Sequence, residues 1–158
     1  MIEIVITPTM LVEARDKAAE MGKLHNSIMN GAGNIAGFIG EAIAQQVLGG
    51  KLENTYDYDL VLDNGTTVDV KTKQTSVAPL ETYDCSIAAL NTKQKCDYYC
   101  FVRVKNTFTV GWYLGVYDKQ QYMEDAVFMK KGDVDSSNGY VVRSDCYNLK
   151  ISKLKEKP

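Results

Sequence analysis

The chain is expected to fold as an α/β domain, with a central mostly antiparallel or mixed sheet of four to five strands flanked by helices. Two observations predict this. In the first third, apolar residues recur at helical spacing, at Met10, Leu11, Ala14, Ala18 and Met21 and again at Ile35, Phe38, Ile39, Ala42, Ile43 and Val47. From residue 57 onward the period changes to two, and β-branched and aromatic residues accumulate.

Ile2, Ile4 and Ile6 alternate and predict a short first strand. Thr7-Pro8 reads as an N-cap followed by proline at the first helical position, and Gly22 offers a stop, so the first helix is placed over 8–21. Residues 22–33 read as a linker rich in glycine and asparagine, with His25 expected at the surface. Gly31-x-Gly33-x-x-Ala36 matches a permissive dinucleotide fingerprint but is rejected, because no strand precedes it. The second helix is placed over 33–48, ending at Gly49-Gly50.

The stretch 57–71, DYDLVLDNGTTVDVK, predicts a hairpin. A two-residue turn at Asn64-Gly65 would put Asp59 opposite Val70 and mix carboxylates with valines on one face. A three-residue loop, Asp63-Asn64-Gly65 with Gly65 left-handed, pairs Leu62 with Thr66 and sets Asp59 across from Asp69. Tyr58, Leu60, Leu62, Val68 and Val70 then face the core, and Asp57, Asp59, Asp69 and Lys71 gather on the other side. Residues 75–95 are expected to be a loop with a short element near 83–90. Asp97–Lys105 and Phe108–Val116 read as strong strands that extend the hairpin into a four-stranded antiparallel meander, with Trp112 in the packing. A helix over 117–129 capped by Asp118, a turn at Asn138-Gly139 before 140–143 and a terminal alternating segment over 147–154 complete the chain.

Directly opposed residues of an antiparallel pair have Cβ atoms about 4.5–5.5 Å apart, close enough for Asp59 and Asp69 to share a cation and repulsive without one. Mg²⁺ suits such a pair: it takes oxygen ligands, commonly one or two carboxylates, and leaves positions for water and phosphate. Mn²⁺ is expected to substitute. Lys71 projects from the same face and is placed to polarise an attacking water or to meet charge developing on a phosphodiester.

Asp59, a spacing of ten, then Asp69-Val70-Lys71 resembles the signature of the PD-(D/E)XK nuclease superfamily, whose fold is restriction-endonuclease-like. Gly37-Phe38-Ile39-Gly40-Glu41 resembles the G-x-x-G-E pattern many members carry on the preceding helix. The resemblance covers about residues 33–75. It implies that Asp59, Asp69 and the Val70 carbonyl ligate Mg²⁺, that Glu41 binds a second metal or orients water, that Lys71 assists the nucleophile, and that Gln74 contributes to catalysis. It implies DNA as partner. Compact members include phage-type, homing and junction-resolving endonucleases, and a homodimer or higher assembly is expected if both strands are cut at a specific sequence.

Two rival readings stay open. One is a non-catalytic DNA- or protein-binding module that keeps the nuclease fold. The other is acid–base chemistry on a sugar, for which carboxylates about 5–5.5 Å apart would serve, although Lys71 beside them would hold both ionised. At 158 residues the chain is read as a single domain, 1–158. No apolar run approaches a membrane span, and Met1-Ile2-Glu3-Ile4 does not open a secretory leader, so a cytoplasmic location without membrane is expected. The formal net charge of −2 excludes a generic nucleic-acid coat. Lysines and arginines in the middle, including Lys71, Lys73 and Arg103, and towards the end, including Lys150, are candidates for a phosphate-contacting rim. Cys85, Cys96, Cys100 and Cys146 are read as core thiols.

Overall fold

The computed structural model describes residues 1–25, 32–136 and 139–158, the side chains of 22–25 and 32–34 excepted. Strand β1 (Ile2–Val5) leads into helix α1 (Pro8–His25), which opens as its sequence dictates: Thr7 Oγ1 accepts from Met10 N–H at 3.2 Å. The helix continues past Gly22, one glycine being too weak a breaker to end a helix that packs along α2 (Ala32–Leu48). Part of the expected 22–33 linker, residues 26–31, lies outside the described residues, Gly31 among them; Gly33 and Ala36 fall inside α2.

The large sheet has six strands and mixed direction. Its members are β1, β2 (Lys51–Leu52), β3 (Leu60–Val61), β4 (Thr67–Thr75), β6 (Tyr98–Lys105) and β7 (Val110–Asp118), in the order β1-β7-β6-β4-β3-β2. A second, three-stranded antiparallel sheet holds β5 (Asp84–Ala88), β8 (Val127–Met129) and β9 (Cys146–Lys150) in the order β5-β9-β8. Helices α1 and α2 cover one face of the large sheet, burying Ile39, Ile43, Leu60, Val68, Cys100 and Val102. Each such aliphatic side chain contributes about 1.5–3 kcal/mol on leaving water. The other face, with Tyr99, Phe101, Trp112 and Leu114, packs with Cys85 and Ile87 of β5, Leu149 of β9 and Tyr122 of helix α3 (Lys119–Asp125). Trp112 is core, as expected, its indole N–H donating to Glu3 Oε2 at 2.8 Å.

The expected antiparallel meander is corrected at one joint. Strands β4 and β6 run parallel, Val68 beside Tyr98 through Thr75 beside Lys105, with β5 in the crossover between them. Asp97 fixes the start of this pairing: its Oδ2 accepts from both the N–H and the hydroxyl of Thr67 at 2.8 Å, and its own N–H donates to the Thr67 carbonyl at 3.1 Å. The β6 run is buried at six consecutive positions, the pattern of a central strand covered on both faces, and such a run carries no sign of strand direction. A second correction falls on 117–129. Asp118 caps a helix, accepting from Gln121 N–H at 2.9 Å, but the helix ends at Asp125, and Val127–Met129 pair with β9 instead. β-branched Val127 and aromatic Phe128 favour that extended backbone. The Asn138-Gly139 turn includes a residue outside the description, and 140–143 contributes only the bridge between Val134 and Val141.

The hairpin turn forms as the faces required. Leu62 N–H donates to the Thr66 carbonyl at 2.9 Å, Gly65 has φ +86°, and Leu60 stands beside Val68. Helix α2 crosses this region closely. A Cβ added at Gly40 would overlap Thr72 Oγ1, whereas one at Gly37 would meet nothing within 4 Å. Gly40→Ala is therefore expected to lower stability by about 1–3 kcal/mol in urea unfolding, because strand and helix would have to separate. Gly37→Ala in the same helix should raise it by about 0.5–1 kcal/mol.

Candidate metal centre

Strand β4 is paired on both sides at its start, but β3 faces it only at Thr67 and Val68. From Asp69 onward one edge of β4 is open. Asp59 closes the first gap. Its N–H bonds the Val68 carbonyl at 3.0 Å although Leu60 already stands opposite Val68, so two residues oppose one, as in a β-bulge. This corrects the direct Asp59–Asp69 opposition. The slip turns the Asp59 carboxylate along the edge, where Oδ2 accepts the Val70 N–H at 2.7 Å. Asp59 nonetheless stays near enough to Asp69 for the Asp69 charge to raise the cost of ionising it.

Alternation along β4 sends Asp69, Lys71 and Lys73 to the face away from α2, where Asp69 lies beside Tyr99 of β6 and is 6% exposed. Lys71 Nζ stands 2.7 Å from Asp69 Oδ2 and 5.7 Å from the Tyr99 ring centroid. The expected separation of an apolar side from a side that gathers Asp57, Asp59, Asp69 and Lys71 needs amendment. Leu60, Leu62, Val68 and Val70 join the helix-side core, but Tyr58 packs into the opposite cluster. The carboxylate side is largely covered, not solvated. Asp57 takes a structural part, accepting the Lys95 N–H at 2.9 Å.

Glu41 comes from α2, 9% exposed, and its charge is coupled to those of Asp59, Lys17 and Asp69. The sequence therefore brings Glu41, Asp59, Asp69 and Lys71 into one neighbourhood, with the Val70 backbone between them. Gln74 is exposed farther along β4 and lines a cleft at its end. Sequence reasoning passed over Tyr99, which only the parallel pairing sets beside Asp69, and Lys17, whose α1 position gives no sign of where α2 will lie.

Burial, then the charge of Asp59, and more weakly that of Asp69, push the Glu41 carboxyl up to about 8, against an opposing pull from Lys17. Asp59 rises to about 6, chiefly by burial and by the neighbouring Asp69, while the Val70 hydrogen bond and Lys71 pull it down. Glu41 Oε2 is buried without a hydrogen-bond donor, the Thr72 hydroxyl is also unpartnered, and Asp69 Oδ2 is met by the Lys71 ammonium at 2.7 Å. An orphaned acceptor oxygen beside further carboxylates fits a hard cation that binds oxygen. Among the described residues no three His, Cys, Asp or Glu side chains by themselves form a metal-holding group. Mg²⁺ does not require one, since it commonly uses one or two carboxylates and fills its other positions with water and phosphate. Comparison with known proteins returns no matching family model and no matching curated sequence.

The raised carboxyls give the metal-free protein a defined pH dependence. Between the unfolded values near 4 and the folded values, the native state holds protons that the unfolded chain has released, so stability falls as pH rises towards about 8. Glu41→Gln removes one of these groups. In EDTA at about pH 8.5 it is expected to be more stable than wild type by about 1–3 kcal/mol, and at about pH 4 by much less, measured by urea unfolding.

Proposed function

We propose that the chain is a metal-dependent endonuclease that hydrolyses DNA phosphodiesters, with Mg²⁺ as its cofactor and Mn²⁺ as a substitute. The observation that carries this reading is the gathering of the buried Glu41 and Asp69 and the half-buried Asp59, from a helix, a central strand and a bulged strand end, beside Lys71, which holds Asp69 at 2.7 Å. The resemblance of Asp59, Asp69-Val70-Lys71 and Glu41 to the PD-(D/E)XK pattern supports the same reading.

In this reading Asp59 and Asp69 hold Mg²⁺ together with the Val70 carbonyl, and the ion supplies charge neutralisation at the phosphoryl oxygens. The Val70 N–H keeps the Asp59 carboxylate oriented along the open edge, so little reorganisation is needed when substrate arrives. Glu41 accepts a proton from, or orients, the attacking water, a role for which a carboxyl lifted towards neutrality is suited. The Lys71 side chain, 19% exposed and lying over the Tyr99 ring, presents its ammonium to the charge that develops on phosphorus oxygens. Burial on the Tyr99 side limits water to the reacting edge.

Cleavage of supercoiled and single-stranded DNA with Mg²⁺ or Mn²⁺ tests the proposal. Wild type is expected to cut, and Asp69→Ala and Lys71→Ala to lose about a hundredfold or more in rate while staying folded. Calorimetric titration should show Mn²⁺ binding that Asp69→Ala abolishes. Wild type that neither cuts nor binds Mn²⁺ would instead make the chain a non-catalytic module.

A further inference from the structure

Beyond Lys73 the open face of β4 runs into a cleft of about 1010 Å³ between the ends of β4 and β6 and one face of the second sheet. Lys73 and Arg103 are neighbours in the parallel register and form one wall; Arg143 and Lys150 line another. Against these four cations the lining holds two acids, Asp84 and Asp135. Asp84 is taken by Lys150 at 2.9 Å. Arg103, only 7% exposed, uses Nη2 on the neutral Asp84 carbonyl at 2.7 Å and has no carboxylate in ion-pair contact among the described residues. Desolvation and the adjacent guanidinium lower the Lys73 pKa, against a weaker opposing pull from Asp84. Tyr83 and Tyr140, 42% and 52% exposed, lie on the same lining.

A basic groove with exposed aromatic rings is the arrangement that tracks one nucleic-acid backbone and stacks its bases. A single strand offers its bases to Tyr83 beside the cations, whereas a duplex keeps its bases paired and stacked inside and offers the ring only backbone. The stripe Asp69, Lys71, Lys73 advances about 3.3 Å per residue, so Lys73 stands about 13 Å from Asp69 on the same face. We propose that this cleft is a channel for single-stranded DNA, which delivers a strand from Arg103, Lys73 and Tyr83 to the Asp59–Asp69 edge. The substrate class is then DNA with a single-stranded segment, such as a free strand, flap or gap. This assignment rests on the nuclease reading for its catalytic consequence but not for binding.

Binding is tested without cleavage, by fluorescence anisotropy of a short labelled oligodeoxynucleotide in EDTA over a salt series, as single strand and as duplex. The single strand is expected to bind about tenfold or more tightly than the duplex. Lys73→Gln with Arg143→Gln should weaken single-strand binding about tenfold and reduce the salt slope by about 0.7 for each phosphate left without its cation. Tyr83→Ser should weaken it about tenfold and leave the slope unchanged. Three outcomes would overturn the channel: duplex binding as tight as single-strand binding, no binding at low salt, or wild-type affinity and slope in a folded protein carrying Lys73→Gln, Arg143→Gln and Tyr83→Ser together. A strand that binds in this way but is never cut with Mg²⁺ or Mn²⁺ would sink the nuclease and leave the channel standing.

Discussion

The structure depends on the unequal pairing of β4. This nine-residue strand is joined to β6 along nearly its whole length and to β3 at only two positions, so it is rigid on one side and open on the other. Rigidity fixes where alternate side chains point. Openness leaves backbone groups in need of partners, and the Asp59 carboxylate meets the Val70 N–H, which places a charged group at the one edge a ligand can approach. The remainder of the edge leads towards the basic cleft.

A cluster of carboxylates in such a place is held against its own electrostatics. Desolvation and mutual repulsion act together on Glu41 and Asp59, and the surrounding packing must outweigh them. Gly40 is part of that packing. By letting α2 touch Thr72 it brings Glu41 near strands that a larger residue would keep at a distance. The opposite layer contributes through Tyr99, whose ring centroid lies 5.7 Å from Lys71 Nζ and 6.0 Å from Lys119 Nζ, so two ammonium groups lie near one aromatic ring.

The second sheet turns the carboxylate face from surface into interior. Tyr122 anchors it, its hydroxyl bonded to the carbonyls of Cys85 at 2.9 Å and Tyr147 at 2.8 Å, while its ring meets Tyr99 and Phe101 at 5.5 Å between centroids. The same layer leaves Arg103 at the floor of the cleft, so coverage of the core and formation of the groove have one cause. The cysteines belong to this packing: all four are free thiols, Cys85, Cys96 and Cys100 are buried, and burial raises Cys85 to about 12.

The local elements follow from residues close together in the chain. Thr7-Pro8 placed the start of α1, helical spacing placed α2, and the demand that apolar and charged residues separate selected the three-residue turn with Gly65 left-handed. Asp59, Asp69 and Lys71 were legible as a group because strand alternation fixes which side chains share a face, and Glu41 joined them only through the resemblance of Gly37–Glu41 to the G-x-x-G-E pattern. The parallel run of β4 beside β6, the bulge at Asp59, the return of Val127–Met129 to a second sheet and the cleft over Arg103 emerge with the packed fold. Each of these depends on contacts between segments far apart in the chain. A run buried on both faces is apolar whichever way its neighbour points, and an arginine within one has no partner visible in its own neighbourhood.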